Sequence, residues 1–136
     1  MQVDPLLYRF GFACVVESNA LSNDAWNALQ SKWEVARLRD LLILSHPETP
    51  VVPISDSALL VGHAFATRNS LSARELIATA IADGSELALH EALDDLSGRF
   101  VLITSYGGGG RVYHDAVGSR SVFYHLDQPL CIASHD

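Results

Sequence analysis

Leu93 to Ile103 reads LDDLSGRFVLI, and the way this stretch is divided decides the fold. Leu89, Leu93 and Leu96 recur on one helical face, and Ser85 stands where a capping hydroxyl belongs. Gly98 lies just past that face, the place of a left-handed glycine that ends a helix. A helix therefore runs from Ser85 into the two aspartates, and strand texture begins at Phe100. Neighbours on a helix point about 100° apart, whereas paired catalytic carboxylates must converge on one substrate. Asp94 and Asp95 read as a solvated helix end.

Downstream, four apolar runs are separated by GGGG, AVGSRS and LDQP: Phe100 to Tyr106, Arg111 to Asp115, Val122 to His125 and Leu130 to Ala133. They read as three successive hairpins, a meander. The tract Gly107 to Gly110 lies between two strands. A phosphate loop leads from a strand into a helix whose amides bind the anion, so a hairpin turn is the reading here.

Upstream, Ser72 and Glu75 have capping-box spacing before Leu76, Ile77 and Ala80, and Gly84 ends that helix. Ala58 to Phe65 is a strand, in which Gly62 implies a bulge or a close backbone approach. Leu41 to Leu44 is a short strand before His46-Pro47, and Pro47, Pro50 and Pro53 make the following segment a loop. Trp26, Leu29, Trp33 and Ala36 recur at helical spacing, with Asn23 or Asp24 as the cap. Tyr8 to Val16 is the first strand. Strands at both ends with helices between them imply an α+β layered domain.

With 136 residues, one core is expected. An apolar fraction of 49% with 18% charged residues fits a globular domain, and the net charge of −7 without a basic run argues against nucleic acid or an anionic membrane as partner. Cys14 and Cys131 are far apart in apolar stretches and are expected to be buried free thiols. No signal peptide or spanning segment is read, so a cytoplasmic location is expected.

A hairpin centred on Gly118 and Ser119 would set His114 opposite His125, with Asp115 and His135 nearby, as a metal site. Lacking Cys pairs or an H-x-x-x-H helix, these read as ordinary histidines, and no metal ligand is assigned. No G-x-S-x-G elbow is present, and no Ser-His-Asp triad is assigned.

Together, LDDLSGRFVLI, YHDAVGSRSVFYH and LCIASHD resemble the end of the glutaminase domain in asparagine synthetases and related class II glutamine amidotransferases. That family reads L-D-x-L-x-G-x-F, then R-D-x-x-G-x-K-P-L-Y-Y, then F-A-S-E. The matching positions are Leu93, Asp94, Leu96, Gly98 and Phe100, then Asp115, Gly118, Arg120, Phe123 and Tyr124, then Ala133 and Ser134. Leu59 to Leu76 looks like the family strand N-G-E-I-Y-N and its helix, and FGFACVV like the family start C-G-I-x-G. The resemblance implies a four-layer αββα sandwich of antiparallel sheets, the N-terminal-nucleophile hydrolase arrangement, here trimmed or incomplete.

It also implies lost chemistry. The family nucleophile is an N-terminal cysteine whose own amine is the base. Here residue 2 is Gln2, and Phe10 falls at the cysteine position. The family Asn and Glu that hold glutamine fall on Gly62 and Ala64, and the aspartate that grips the substrate amine has no counterpart around Ser72 to Arg74. Cleavage before Cys14 would expose a thiol, but Val15 then stands where the family has glycine.

This pattern resembles β-lactam synthetases and lasso-peptide macrolactam synthetases, whose glutaminase-like domain supplies no ammonia. Residues 1–136 are thus expected to be one glutaminase-like domain, catalytically silent, from an asparagine-synthetase-like amide-forming ligase. No catalytic, cofactor-binding or metal residue is assigned. ATP and magnesium would belong to a C-terminal synthetase domain, whose S-G-G-x-D-S loop does not occur in these residues. That domain is the expected partner, with a peptide or small-molecule substrate and a second copy of the chain as others. The stop at ASHD is read as a fragment or a truncated gene product. Two alternatives stand: a self-contained binding or assembly module, and an active glutaminase released by cleavage before Cys14.

Overall fold

A computed structural model describes residues 6, 9–16, 24–68, 70–106, 109–115, 122–124 and 132–134. Among these residues, nine strands and three helices follow in the order β1 (Phe12–Val16), α1 (Asp24–Lys32), β2 (Glu34–Leu38), β3 (Leu41–Ser45), β4 (Val51–Ser55), β5 (Ala58–Ala66), α2 (Ala73–Asp83), α3 (Glu86–Asp94), β6 (Leu96–Tyr106), β7 (Gly109–His114), β8 (Phe123–Tyr124) and β9 (Ile132–Ser134). They form two antiparallel sheets, ordered β2-β3-β1-β9-β8 and β4-β5-β6-β7.

Both faces of each sheet are covered, which explains apolar runs such as LLIL in β3 where one wet face would demand alternation. Phe12, Cys14, Leu41 and Ile43 of the first sheet pack with Leu59, Val61, Val101 and Ile103 of the second, forming a core between the sheets. Ala13, Val15, Leu42 and Leu44, pointing the other way, meet Trp26 of α1 and Trp33. Leu60, Phe100 and Leu102 meet Ile77 of α2 and Leu89 of α3. Helix, sheet, sheet and helix pair therefore follow in sequence through the molecule, an α+β arrangement compatible with the expected sandwich. Each fully buried Leu, Ile, Val or Phe contributes roughly 1.5–3 kcal/mol to this packing.

Local signals predict the caps of α2 and α3 well. Ser72 and Glu75 close both bonds of the capping box, and Gly84 ends α2 at φ 79°, a left-handed turn that glycine makes without strain. The Ser85 hydroxyl accepts the Ala88 amide at the start of α3.

Five readings are corrected. The first strand begins at Phe12, because Arg9 and Phe10 form a turn with Phe10 at φ 61°. The first helix ends at Lys32, and Ala36 belongs to β2, which pairs with β3 around a turn containing Arg39 at φ 56°. The proline segment contains β4, an edge strand in which Pro53 stands opposite Leu59 and the register shifts between Pro53 and Ser55. An edge tolerates the proline because the missing amide need not serve a second neighbour.

Gly98 caps no helix: Asp95 takes that position, and Gly98 lies inside β6 opposite Ala64. The meander, finally, is two separate hairpins. β6 pairs with β7 in the second sheet, while β8 pairs with β9 in the first, so the chain changes sheets after β7. The Tyr106–Gly109 pair closes the β6–β7 hairpin, and Gly107 and Gly108 lie outside the described residues. Among the described residues, no helix is long and apolar enough to cross a membrane.

Candidate functional site

The positions singled out by the glutaminase resemblance meet at one end of the stack. Just before β1, the Gly11 carbonyl accepts the Thr49 hydroxyl at 2.7 Å and the His46 amide at 3.0 Å. Residues 46–50 then cross from the first sheet to the second, where Pro50 accepts the Gly62 amide at 2.9 Å. Gly62 pairs with Phe100, and Ala64 with Gly98. Phe10, Gly62, Ala64 and the Leu93–Phe100 fingerprint are thereby linked through consecutive backbone contacts.

The two strand glycines hold that end together. A Cβ on Gly62, φ 102°, would lie 2.3 Å from the Arg99 carbonyl oxygen, and one on Gly98, φ 131°, would lie 2.2 Å from that of His63. Of the two expectations for Gly62, the close approach is the one realised, since the β5–β6 register runs without interruption. Asp115 completes the joint. Only 6% exposed, it accepts the Phe100 amide at 3.1 Å through Oδ2 and donates its own amide to the Phe100 carbonyl at 3.2 Å, extending the β6–β7 ladder by one residue.

The fingerprint residues Gly98, Phe100 and Asp115 thus position backbone. Asp94 is the exposed last residue of α3, and the Asp95 carbonyl accepts both the amide and the hydroxyl of Thr67. Gly118 and Arg120 lie outside the described residues.

The chemistry offered at this end differs from a glutaminase centre. Phe10 is 40% exposed with the Arg9 guanidinium 5.4 Å above its ring. Gly62 and Ala64 offer no side-chain donor or acceptor. Cys14 is fully buried in mid-strand, opposite Ile43 and Ile132, within the core between the sheets. Ser72, in the region without an aspartate, is occupied as the helix cap.

His46, Glu48 and Thr49 are the functional-looking residues that the sequence reading passed over. His46 is buried edge-on to Trp33; its Nδ1 accepts the Glu48 amide at 3.0 Å, which sets Nε2–H toward the Leu6 carbonyl at 3.3 Å. With Nδ1 accepting, the 4.0 Å approach to the Glu48 carboxylate is no ion pair, and the ring serves as a brace. Three polar residues within HPET, directly after an apolar strand, were the available signal.

Arg9 grips Glu48 through two bonds, 2.7 and 3.1 Å. Those hydrogen bonds hold the Glu48 carboxyl below the usual carboxylate range; partial desolvation opposes the effect and the Arg9 charge assists it. A lowered folded value stabilises the fold above the ordinary glutamate pKa of about 4.3, and the benefit is lost as pH falls through Glu48's own lower value. An NMR titration is expected to place Glu48 below a free glutamate and to move it back up in Arg9→Gln. An unchanged midpoint in that variant contradicts the contact.

His114 stands opposite Val101, in a different sheet from β8, so the hairpin that would bring it to His125 is not formed; His125 and His135 lie outside the described residues. Among the described residues no group of three or more His, Cys, Asp or Glu could hold a metal ion. Cys14 is buried and forms no disulfide among the described residues, and Cys131 lies outside them. No family model, curated protein or solved structure matches the chain.

Proposed function

We propose that the chain is a catalytically silent glutaminase-like domain with an N-terminal-nucleophile hydrolase fold, of the kind joined to ATP-dependent amide-forming synthetases. The observation that carries this reading is the single end of the stack where the entrance to β1 meets Gly62 and Gly98 through residues 46–50. A nucleophile position and an amide-holding strand belong side by side in such an enzyme. Here Phe10, Gly62 and Ala64 occupy them, and a buried amide or ammonium finds no polar side chain in such residues.

The domain's work in this reading is structural: it packs on a synthetase domain and shapes the entrance for a peptide or small substrate. Phe65, on β5 at that end and 63% exposed, offers apolar surface for the packing. ATP and magnesium are assigned to the partner domain, and no residue here is assigned to either.

Cleavage before Cys14 is disfavoured by geometry. It would remove Phe12 and Ala13, and with them their pairings to Ser45, Leu44, Ser134 and Ala133. Purified protein is expected to release no ammonia from glutamine above background. Release that disappears in Cys14→Ala, from a chain whose intact mass begins at Cys14, would overturn the reading in favour of an active glutaminase.

A further inference from the structure

We propose that the cleft between the end of α2, the start of α3 and the Thr104 end of β6 binds a small neutral ligand. Its chemistry is that of a polyol or a carboxamide, carrying both hydrogen-bond donors and acceptors. Thr104 pairs with Ala58, at the opposite end of the β5–β6 ladder from the Ala64–Gly98 pair. The cleft is therefore separate from the site described above, and the inference does not rest on the glutaminase-like reading.

The cleft encloses about 230 Å³, room for about eight groups the size of a water molecule. Ile81 and Leu89 give it an apolar wall, and Ser85, Glu86 and Arg111 a polar one. Thr104 lines it as well. That residue is 4% exposed, and its hydroxyl is the one buried side-chain polar atom without a hydrogen-bond partner among the described residues. Such a hydroxyl destabilises the fold, and valine would fill the same volume without the penalty. A buried hydroxyl left unpaired at the wall of a cleft is available to a ligand that enters it.

The start of α3 lines the same space through Ser85, whose hydroxyl accepts the Ala88 amide, and Glu86. The cleft thus presents a cap hydroxyl and the Thr104 hydroxyl, which can donate or accept.

Charge selects the ligand. Arg111 forms an ion pair with Glu86, whose Oε1 also accepts the Tyr113 hydroxyl at 3.4 Å. The two charges on the wall cancel. A carboxylate ligand must displace Glu86 from Arg111, and an ammonium must displace Arg111 from Glu86, each breaking a charge-assisted bond. A neutral molecule leaves the pair intact.

The test is an amide NMR titration of the full chain with glycerol, acetamide and propionamide, and with acetate and ethylammonium as ionic probes. The neutral probes are expected to give saturable shifts at Ser85, Glu86 and Thr104, and the stronger of the polyol and carboxamide arms identifies the class. Thr104→Val is expected to melt a few degrees higher than the parent and to bind at least about tenfold more weakly, while Thr104→Ser keeps binding. No saturable shift at those amides, equal binding by Thr104→Val, or stronger binding of an ionic probe overturns the proposal. So does a Thr104→Val chain that fails to fold, because the hydroxyl would then be holding structure.

Discussion

Gly98→Ala is expected to lose more than about 4 kcal/mol of folding stability, a size reached by few single substitutions. Two costs add. A φ of 131° is strained for any residue with a Cβ, by about 1–3 kcal/mol. The new methyl would also stand 2.2 Å from the His63 carbonyl oxygen, a backbone atom held by the β5–β6 ladder, so the strands must part. Against a typical total of 5–15 kcal/mol, the variant unfolds at far lower urea, or at ordinary temperature.

Gly84→Ala is the control. Its φ of 79° is also left-handed, but nothing lies within 4 Å of the added carbon, so about 1 kcal/mol is expected. Equal urea midpoints for the two variants would show that the close approach at Gly98 does not exist.

Phe12→Ala is expected to cost about 3–5 kcal/mol, the range for emptying a buried phenylalanine site. Phe12 is fully buried in the core between the sheets, among side chains that are themselves buried and held in their strands, so the gap closes only in part. Phe10→Ala, two residues earlier, removes a ring that is 40% exposed in a turn and is expected to change stability by about 0.5 kcal/mol or less. Chemical denaturation of both checks the pair. A Phe10→Ala loss as large as that of Phe12→Ala would contradict the observed start of β1.

Those two phenylalanines also show what was legible in advance. FGFACVV reads as one apolar run, and nothing local separates a ring in the core from a ring in a turn. Caps are different. Ser72, Glu75, Gly84 and Ser85 act on amides within four residues, so their sequence reading and the structure coincide.

What failed depends on distant partners. Ala36 fits a helical period, yet β3 recruits it as strand; prolines read as loop where an edge position tolerates one; and β8 finds β9 in the other sheet. Gly98 was correctly marked as needing a conformation other residues resist. Its place in a strand follows from β5, which the local pattern around it does not contain. At the candidate site, Gly62 was readable as a close approach. His46 and Thr49 were not, because their role comes from Gly11, 38 positions from Thr49.

Pro53 carries a consequence for solubility. Sheets of this kind risk recruiting foreign strands along their open rims, and the β4 rim is spoiled for that purpose. It lacks one donor at Pro53 and changes register before Ser55. β2, on the rim of the other sheet, has no proline, and defends itself with the exposed charges Glu34 and Arg37 beside the exposed Val35. Salt that screens those charges weakens the second defence and leaves the first intact, so of these two rims β2 is the one that high salt opens to a foreign strand.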